Sequence, residues 1–216
     1  MTETKLIHLY ELLFERFGHR NWWPAESPFE VCVGAILTQN TSWKNVEKAI
    51  NNLKEAECLD AYRLYETPVE ELATIIKTAG YFNVKSKRLK NFINHLVEHH
   101  EGSLDKMFEA SVEDLRTELL SINGVGRETA DSMILYAANK PIFVIDVYTR
   151  RALERHGMIV EKADYDEIRK LFESNLSPDV DLFNDFHAQF VAVGSNFCRR
   201  KPKCSGCPLD VLGKAG

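Results

Sequence analysis

Apolar residues recur at intervals of three and four along most of the chain, which is the spacing of one face of an α-helix. No segment alternates apolar and polar residues for long enough to indicate a β-strand. The short apolar run 142–145 fits a buried strand or a buried extended link equally well. The pattern predicts an all-α fold with short connections. Helical spacing is clearest in five segments: Leu6–Phe17, Phe29–Leu37, Val46–Leu53, Leu89–Val97 and Phe183–Val193.

The order of these segments predicts two helical lobes. The central lobe runs from residue 28 to 137 and contains a helical hairpin at 111–138. The second lobe combines residues 1–27 with residues 138–216 and carries a cysteine-rich loop at 198–207.

The composition is that of a soluble globular protein. With 216 residues and 44% hydrophobic content, the chain can bury a sizeable core without disulfides or oligomerisation, and we expect a monomer. No apolar run approaches the roughly 20 residues of a membrane span, and no signal peptide is recognisable, so we expect a cytoplasmic protein without membrane contact. The net charge of −5 argues against nonspecific coating of nucleic acid. Two local basic runs, 85–90 and 199–203, are either nucleic-acid contacts or solvated faces.

The segment around Gly124 combines a glycine-rich turn with the start of a helix. Such a turn presents backbone N–H groups at the positive end of a helix dipole, where a phosphate can bind without meeting a side chain. The same spacing also occurs in simple tight turns between helices. The candidate phosphate contacts are Gly124, Val125, Gly126 and Arg127.

A helix, this turn and a second helix occupy residues 111–138, and an apolar link then leads to Asp146. The arrangement resembles the HhH-GPD superfamily of DNA glycosylases, of which endonuclease III is a member. The resemblance extends over nearly the whole chain, because residues 77–83 and 187–198 also have counterparts in the family. It implies the HhH-GPD (endonuclease III-like) fold, with the active-site cleft between the two lobes, and a role in base-excision repair. It also implies double-stranded DNA with damaged bases as the partner, its backbone contacted by the hairpin.

The same resemblance implies that Asp146 is the catalytic acid. Cleavage of an N-glycosidic bond builds positive charge on the sugar, and a nearby carboxylate can stabilise this charge and direct water to C1′. Aspartate is also a favoured N-cap residue, so Asp146 can simply begin the helix at Val147. The two roles are compatible, because capping would orient the carboxylate.

Glu128 departs from endonuclease III, in which the matching position carries a lysine. The amine of that lysine forms a Schiff base with the sugar and permits strand cleavage after base removal. A carboxylate cannot form an imine, so we expect a monofunctional glycosylase without AP-lyase activity. An acid in the first turn of a helix also complements the helix dipole, and this role is compatible with the absence of AP-lyase activity.

Two tryptophan-containing segments narrow the resemblance within the superfamily. Residues 22–24 and 37–43 are similar to the MagIII-type 3-methyladenine DNA glycosylases. In that group the aromatic residue at the position of Trp43 stacks on the extruded base, and the residues at the positions of Trp23 and Pro24 help to wall the pocket. Stacking on electron-rich rings suits a cationic alkylated purine such as 3-methyladenine. Ordinary packing of the tryptophans is the alternative.

Two loops offer side chains that can enter the DNA helix beside an extruded base. Gln39 or Asn40 can fill the gap left by the base, and Tyr81 or Phe82 can wedge into the opposite stack. Both members of each pair remain candidates.

The cysteine-rich loop resembles the iron–sulfur loop of endonuclease III, in which four cysteines hold a [4Fe–4S] cluster. Cys198, Cys204 and Cys207 are the implied metal ligands. The set is incomplete, because the first interval is one residue shorter than in the family and Gly213 stands at the expected fourth position. Three hypotheses stay open: a cluster with a non-cysteine or exogenous fourth ligand, a weak zinc or iron site, and a loop held by packing alone.

The favoured function is therefore a base-excision-repair glycosylase that hydrolyses the glycosidic bond of a flipped alkylated purine. One alternative is an endonuclease III-type glycosylase for oxidised, deaminated or mismatched bases. The other is a non-catalytic HhH DNA-binding module, which would need no acid at position 146.

Overall fold

The computed structural model describes residues 2–213 and shows an all-helical protein. No β-strand occurs within this range, which confirms the predicted all-α fold. None of the helices described is long and apolar enough to cross a membrane. The chain also forms 3-10 turns at Lys77–Ala79 and Asp210–Leu212 and a π-helical segment at Met133–Ala137. The α-helices are Glu3–Phe17 (α1), Pro28–Leu37 (α2), Trp43–Glu55 (α3), Ala61–Glu66 (α4), Val69–Ile75 (α5), Phe82–His100 (α6), Leu104–Phe108 (α7), Val112–Ser121 (α8), Arg127–Ser132 (α9), Val147–Arg155 (α10), Tyr165–Glu173 (α11) and Val180–Asn196 (α12).

The chain divides into two compact units. The central unit consists of residues 25–140 and contains α2 to α9. The terminal unit combines the chain up to Pro24 with the chain from Pro141 onward and contains α1 and α10 to α12. The predicted hairpin therefore belongs to the central unit, whereas Asp146 and the cysteine-rich loop belong to the terminal unit.

The core of the central unit is built around α2. Every residue of this helix from Glu30 to Leu37 is buried, and the helix contacts α3, α6, α9 and the π-helical segment. Ser27 caps its N-terminus by accepting a hydrogen bond from Glu30 N at 3.2 Å, and Pro28 occupies the first turn. The buried carboxylate of Glu30 is paired with Lys54 at 2.9 Å. An apolar helix with a capped start and a neutralised acid can thus occupy the centre of the unit.

Lys85 closes the C-terminal end of α2. Its side chain is almost fully buried, and its Nζ donates to Leu37 O at 2.7 Å and to Ala79 O at 2.8 Å. Burial, reinforced by the charge of Arg88, lowers the pKa of this amine to about 8. Lys85 therefore joins the loop after α2 to the loop before α6. The interpretation of residues 85–90 as an exposed basic run is wrong for Lys85.

An aromatic cluster forms the core of the terminal unit, in which α12 packs against α1 and α10. The rings of Phe143 and Phe172 stack with centroids 3.8 Å apart, and those of Phe186 and Phe190 stack at 5.2 Å. Edge contacts between the two stacks complete the cluster, as between Phe143 and Phe186 at 5.7 Å. The cluster fixes the chain that enters α10 against α11 and α12.

The link at 142–145 is buried but is not paired in a sheet. Phe143 N donates to Glu173 Oε1 at 2.9 Å, and Ile145 N donates to Tyr165 OH at 3.3 Å. Side chains of α11 thus accept the hydrogen bonds that a neighbouring strand would accept in a sheet, because buried N–H groups need partners. The sequence was compatible with a buried strand or a buried extended link at 142–145, and the protein forms the extended link.

Candidate active site

Asp146 lies at the N-terminus of α10 in the terminal unit. Its Oδ1 accepts a hydrogen bond from Thr149 N at 2.7 Å, so the carboxylate is the N-cap of the helix. Its Oδ2 lies 3.6 Å from Nε2 of His187, which is part of α12. Both side chains are buried, with 9% of Asp146 and 5% of His187 exposed. The carboxylate is therefore oriented by Thr149 N and lies within ion-pair distance of His187.

These surroundings keep Asp146 ionised. Burial alone raises the pKa of the carboxyl, but the interaction with His187 and the hydrogen bond from Thr149 outweigh this effect and lower the pKa below its ordinary value. A carboxylate held in its charged form can stabilise a developing cation or accept a proton from water. Hydrolysis of a glycosidic bond requires both abilities.

The sequence-based prediction missed His187, although α12 carries a signal for it. Phe183, His187 and Phe190 follow one another at helical spacing, and all three are buried. A histidine at a core position needs a polar partner, because burial of an unsatisfied imidazole is unfavourable. The carboxylate of Asp146, 3.6 Å from Nε2, is its charged neighbour, and the position of His187 in the apolar pattern could have indicated a buried polar pair.

The segment that carries Trp23 and Pro24 is anchored to α12. Arg20 N donates to Asp185 Oδ1 at 2.8 Å, and Asp185 is buried. The rings of Trp22 and Trp23 are half-buried and tilted, with centroids 5.8 Å apart, whereas Pro24 is exposed. The two predicted wall residues of the base pocket therefore follow a backbone segment whose position is fixed by a buried carboxylate.

The predicted hairpin is formed by α8, a turn and α9 in the central unit. Gly124 has a φ of 100°, and a β-carbon at this position would overlap the side chain of Arg88. Val125 is buried, and its N–H donates to a carbonyl within the turn at 3.0 Å. Gly126 is the N-cap of α9, and a β-carbon there would meet nothing within 4 Å. Gly126 and Arg127 therefore form the exposed end of the hairpin.

Gln39 connects the loop after α2 to this hairpin. Its Nε2 donates to Gly124 O at 3.0 Å and to Thr129 Oγ1 at 2.9 Å, and its Oε1 accepts a hydrogen bond from Arg88. Its neighbour Asn40 is exposed and has a φ of 54°. The two candidates for filling a gap in DNA thus differ, because Gln39 is held by three hydrogen bonds and Asn40 is exposed.

Tyr81 and Phe82 stand at the start of α6. Tyr81 is 72% exposed and has a φ of 48°, whereas Phe82 is half-buried. Lys85 Nζ donates to Ala79 O, shortly before Tyr81, and to Leu37 O, at the end of α2. These two hydrogen bonds tie this loop to the loop that carries Asn40. The central unit therefore presents Asn40 and Tyr81 on two loops that a single buried amine holds together.

Trp43 and Glu128 both lie in the first turn of a helix. Trp43 is the half-buried first residue of α3. Glu128 is exposed in the first turn of α9, where its charge complements the helix dipole. The structure thus places the residue at the lysine position of endonuclease III at the surface of the hairpin.

The three cysteines of the loop surround one cavity of about 290 Å³ in the terminal unit. Cys198 is buried, and Cys204 and Cys207 are half-buried. Burial raises the pKa of the Cys207 thiol, and the proximity of the other two sulfur atoms adds to this effect. Arg155 donates from Nη1 to Arg199 O at 2.7 Å and lies 3.3 Å from Cys198 Sγ. The loop is therefore held around its thiols by a residue of α10.

A single zinc ion and an iron–sulfur cluster require different distances between their thiolate ligands. Zinc bonds to sulfur at about 2.3 Å, which places tetrahedral thiolates about 3.8 Å apart. Within the described residues 2–213, one group of three possible metal-ligand atoms from His, Cys, Asp or Glu lies within 4.8 Å of one another. This group consists of His95, His100 and Glu118. Cys198, Cys204 and Cys207 do not form such a set, so at least one pair of their sulfur atoms lies more than 4.8 Å apart.

Comparison with known proteins places the chain in a family. The family profile of the HhH-GPD superfamily base excision DNA repair proteins matches residues 33–178. The chain belongs to this superfamily and is a DNA glycosylase of its base-excision-repair class. The resemblance to endonuclease III-like glycosylases is thereby confirmed.

Individual relatives are similar over most of their length. The chain is 49% identical to the putative DNA repair glycosylase MJ1434 of Methanocaldococcus jannaschii, over 94% of this chain and 93% of that protein. Its fold is similar to that of endonuclease III in a non-covalent complex with DNA, with a TM-score of 0.83 and 21% identity over 98% of this chain and 95% of that chain. The 3-methyladenine DNA glycosylase MagIII of H. pylori, bound to 1,N6-ethenoadenine, has a TM-score of 0.71 and 25% identity over 88% of this chain and 96% of that chain.

Proposed function

We propose that this DNA glycosylase hydrolyses the N-glycosidic bond of an extruded alkylated purine, such as 3-methyladenine, in double-stranded DNA and leaves the abasic site intact. The observation that carries the proposal is the buried, ionised carboxylate of Asp146 between Thr149 and His187. Burial of a charge is unfavourable without partners, and a module that only docks on DNA gains nothing from it.

Asp146 acts on the sugar in the proposed reaction. As the bond to the base lengthens, the base departs with the bonding electron pair, and the carboxylate stabilises the positive charge that remains on the sugar. Asp146 then accepts a proton from the water whose oxygen bonds to C1′. His187 and Thr149 are positioning residues, because they orient the two carboxylate oxygens and keep the pKa low.

Glu128 supports hydrolysis without strand cleavage. A carboxylate cannot form the imine on which AP-lyase chemistry depends. Lys85 does not replace the missing amine, although its pKa is lowered to about 8. Its side chain is 1% exposed, and its hydrogen bonds to two backbone carbonyls make it a structural group.

The aromatic residues support an alkylated purine as the substrate. We propose that Trp43 stacks on the extruded base and that Trp23 and Pro24 form part of the pocket wall. A methylated purine carries positive charge, which is attracted to the faces of electron-rich rings. It is also a good leaving group, so little acid catalysis is needed. The MagIII structure, which is 25% identical in sequence, contains a modified adenine.

The hairpin and two loops of the central unit are the proposed DNA contacts. Gly126 and Arg127 approach a phosphate, while Val125 supports the turn by packing. The exposure of Tyr81 favours it over Phe82 as the wedge. Asn40 is available to fill the gap without rearrangement, whereas Gln39 must first release three hydrogen bonds.

We further propose that the cavity among the three cysteines holds a [4Fe–4S] cluster. The support is the convergence of three thiols on one space and their spacing beyond that of a zinc site. Cys198, Cys204 and Cys207 would hold the cluster, and the loop would then be cross-linked. This would fix the basic residues beside the cysteines: Arg199, Arg200, Lys201 and Lys203.

Release of bases from defined lesions tests the proposed activity. Labelled duplexes carrying 3-methyladenine, ethenoadenine, an oxidised pyrimidine, uracil or a mismatched thymine are incubated with the wild type and with Asp146→Asn. We expect release of the alkylated purines by the wild type alone. Borohydride added during turnover should trap no covalent adduct, because Glu128 provides no amine.

The same experiment distinguishes the alternatives. Release confined to the oxidised, deaminated or mismatched bases would identify an endonuclease III-type substrate range. Equal behaviour of the wild type and Asp146→Asn would contradict catalysis by this carboxylate. A trapped adduct in the wild type would contradict monofunctional chemistry.

A further inference from the structure

Gly213 stands where the family has a fourth cysteine, and a glycine offers no side-chain ligand. It has a φ of 72°, and a β-carbon at this position would meet nothing within 4 Å. Its carbonyl, however, accepts a hydrogen bond from Nδ1 of His156, the C-cap residue of α10. The position that lacks the thiol therefore holds an imidazole through its backbone.

This hydrogen bond defines the tautomer of His156. A carbonyl oxygen can only accept, so Nδ1 must carry the proton. In the neutral imidazole Nε2 then keeps its lone pair, which is the form that binds a metal ion. Histidine ligands in metal sites generally donate their other ring N–H to a carbonyl, carboxylate or water, which fixes the orientation of the ring.

His156 also lines the cavity that the three cysteines surround. We propose that Nε2 of His156 is the fourth protein ligand of the cluster, so that the site is formed by Cys198, Cys204, Cys207 and His156. This assignment rests on the cluster proposed above. It gives the backbone at the fourth cysteine position a role, because the carbonyl of Gly213 orients the residue that replaces the thiolate.

Asp210 is the competing ligand, since it lines the same cavity. Two features favour the imidazole. Asp210 is exposed at the start of a 3-10 turn, whereas His156 is half-buried and already oriented by Gly213. With a neutral imidazole as its fourth ligand, the cluster would also carry one negative charge fewer than with a fourth carboxylate or thiolate. Replacement of thiolates by histidine raises the reduction potentials of iron–sulfur centres.

The ligand is identified by magnetic resonance on the full-length protein. Protein labelled with [15N]histidine is purified and reconstituted anaerobically with iron and sulfide, and the cluster is reduced for electron paramagnetic resonance. We expect about four irons per chain, absorbance near 400 nm, and a hyperfine coupling to 15N that Asp210→Asn retains. His156→Cys should keep the iron, lose the 15N coupling and have a lower reduction potential than the wild type. His156→Ala should hold less iron.

His8→Ala serves as the matched control, because this histidine is exposed on α1 of the same unit. An intact cluster without 15N coupling in the wild type would overturn the assignment to His156. So would loss of the cluster in Asp210→Asn together with its retention in His156→Ala. A wild-type protein without iron and sulfide after reconstitution would overturn the cluster itself. Base release by that same protein would leave the proposed glycosylase function standing, so the two failures are distinguishable.

Discussion

Nε2 of His187 lies 3.6 Å from Oδ2 of Asp146, and both side chains are buried in the terminal unit. The other carboxylate oxygen is occupied by Thr149 N at 2.7 Å. The oxygen that caps α10 and the oxygen that His187 approaches are therefore different atoms of one group. Because α10 fixes one oxygen and α12 approaches the other, the carboxylate can combine its structural role with the chemical role that we propose for it.

Asp146→Asn separates these two roles. An asparagine can still accept the hydrogen bond from Thr149 N, so the helix cap should persist and the protein should remain folded. Single-turnover release of the alkylated base should fall by about 10²- to 10⁴-fold, because the carboxylate is lost. Affinity for lesion DNA, measured by gel shift, should be retained.

Asp146→Ala provides the comparison. It should lose base release to the same extent and should also lose about 0.5–2 kcal/mol of stability, because the N-cap is removed. Equal thermal stability of the two variants would contradict the capping role, and base release by Asp146→Asn within about threefold of the wild type would contradict the chemical role.

His187→Gln should move the acidic limb of the pH profile. His187 lowers the pKa of Asp146, so its removal raises that pKa, and the active carboxylate form is then lost at a higher pH. Base release is measured in single turnover between pH 4 and 9, with spontaneous depurination subtracted. We expect the limb to shift to higher pH and the rate at neutral pH to fall.

His19→Gln is the matched control for this experiment. His19 lies 3.0 Å from a different carboxylate, that of Asp185, and its replacement should leave the limb in place. An unchanged limb in His187→Gln would show that His187 does not tune Asp146. The same pKa difference affects stability. Because the pKa of Asp146 is lower in the folded than in the unfolded state, its contribution to the free energy of unfolding is present above about pH 4 and is lost as the pH falls further.

Glu128→Lys should introduce the AP-lyase chemistry that we propose the wild type lacks. A lysine in the first turn of α9 supplies the amine for a Schiff base with the sugar. Borohydride should then trap a covalent complex with lesion DNA, and alkali-independent strand cleavage should appear. Glu128→Gln, which removes the charge without supplying an amine, should show neither. A trapped complex with Glu128→Gln would mean that a different amine reacts.

Local patterns in the sequence were sufficient for the helices and for Asp146. Apolar spacing predicts α-helices, and Asp146 directly follows a buried apolar link, so its place at a helix start needs no tertiary information. The glycines of the hairpin are likewise recognised from their neighbours in the chain. The cysteine-rich loop could be found by spacing, but the fourth ligand that we propose could not, because His156 lies in a different segment.

Contacts between distant segments explain what the sequence could not provide. His187 meets Asp146 only because α12 packs against α10. Lys85 belongs to a basic run in the sequence, yet its Nζ is buried between two carbonyls. Gln39 and Asn40 are equivalent in the sequence and differ only through the hydrogen bonds that Gln39 makes to the hairpin. Each of these roles depends on tertiary packing, which a local pattern does not contain.

Gly124→Ala and Gly126→Ala should separate folding of the hairpin from its binding to DNA. At Gly124 the positive φ and the overlap with Arg88 are both unfavourable for alanine, and we expect a loss of about 1–3 kcal/mol in stability. At Gly126 the φ is −94° and the space is open, so the free energy of unfolding should change by less than about 0.5 kcal/mol.

Affinity for duplex DNA, measured by fluorescence anisotropy with and without a lesion, should fall for both variants. In Gly126→Ala the added β-carbon stands where a phosphate would approach the start of α9, and the loss should be similar for damaged and undamaged DNA because phosphate contacts carry no sequence information. Wild-type affinity in a stably folded Gly126→Ala would remove the exposed end of the hairpin from the DNA interface. Arg88→Ala combined with Gly124→Ala should recover part of the lost stability, because it removes the overlap but not the strain of the positive φ.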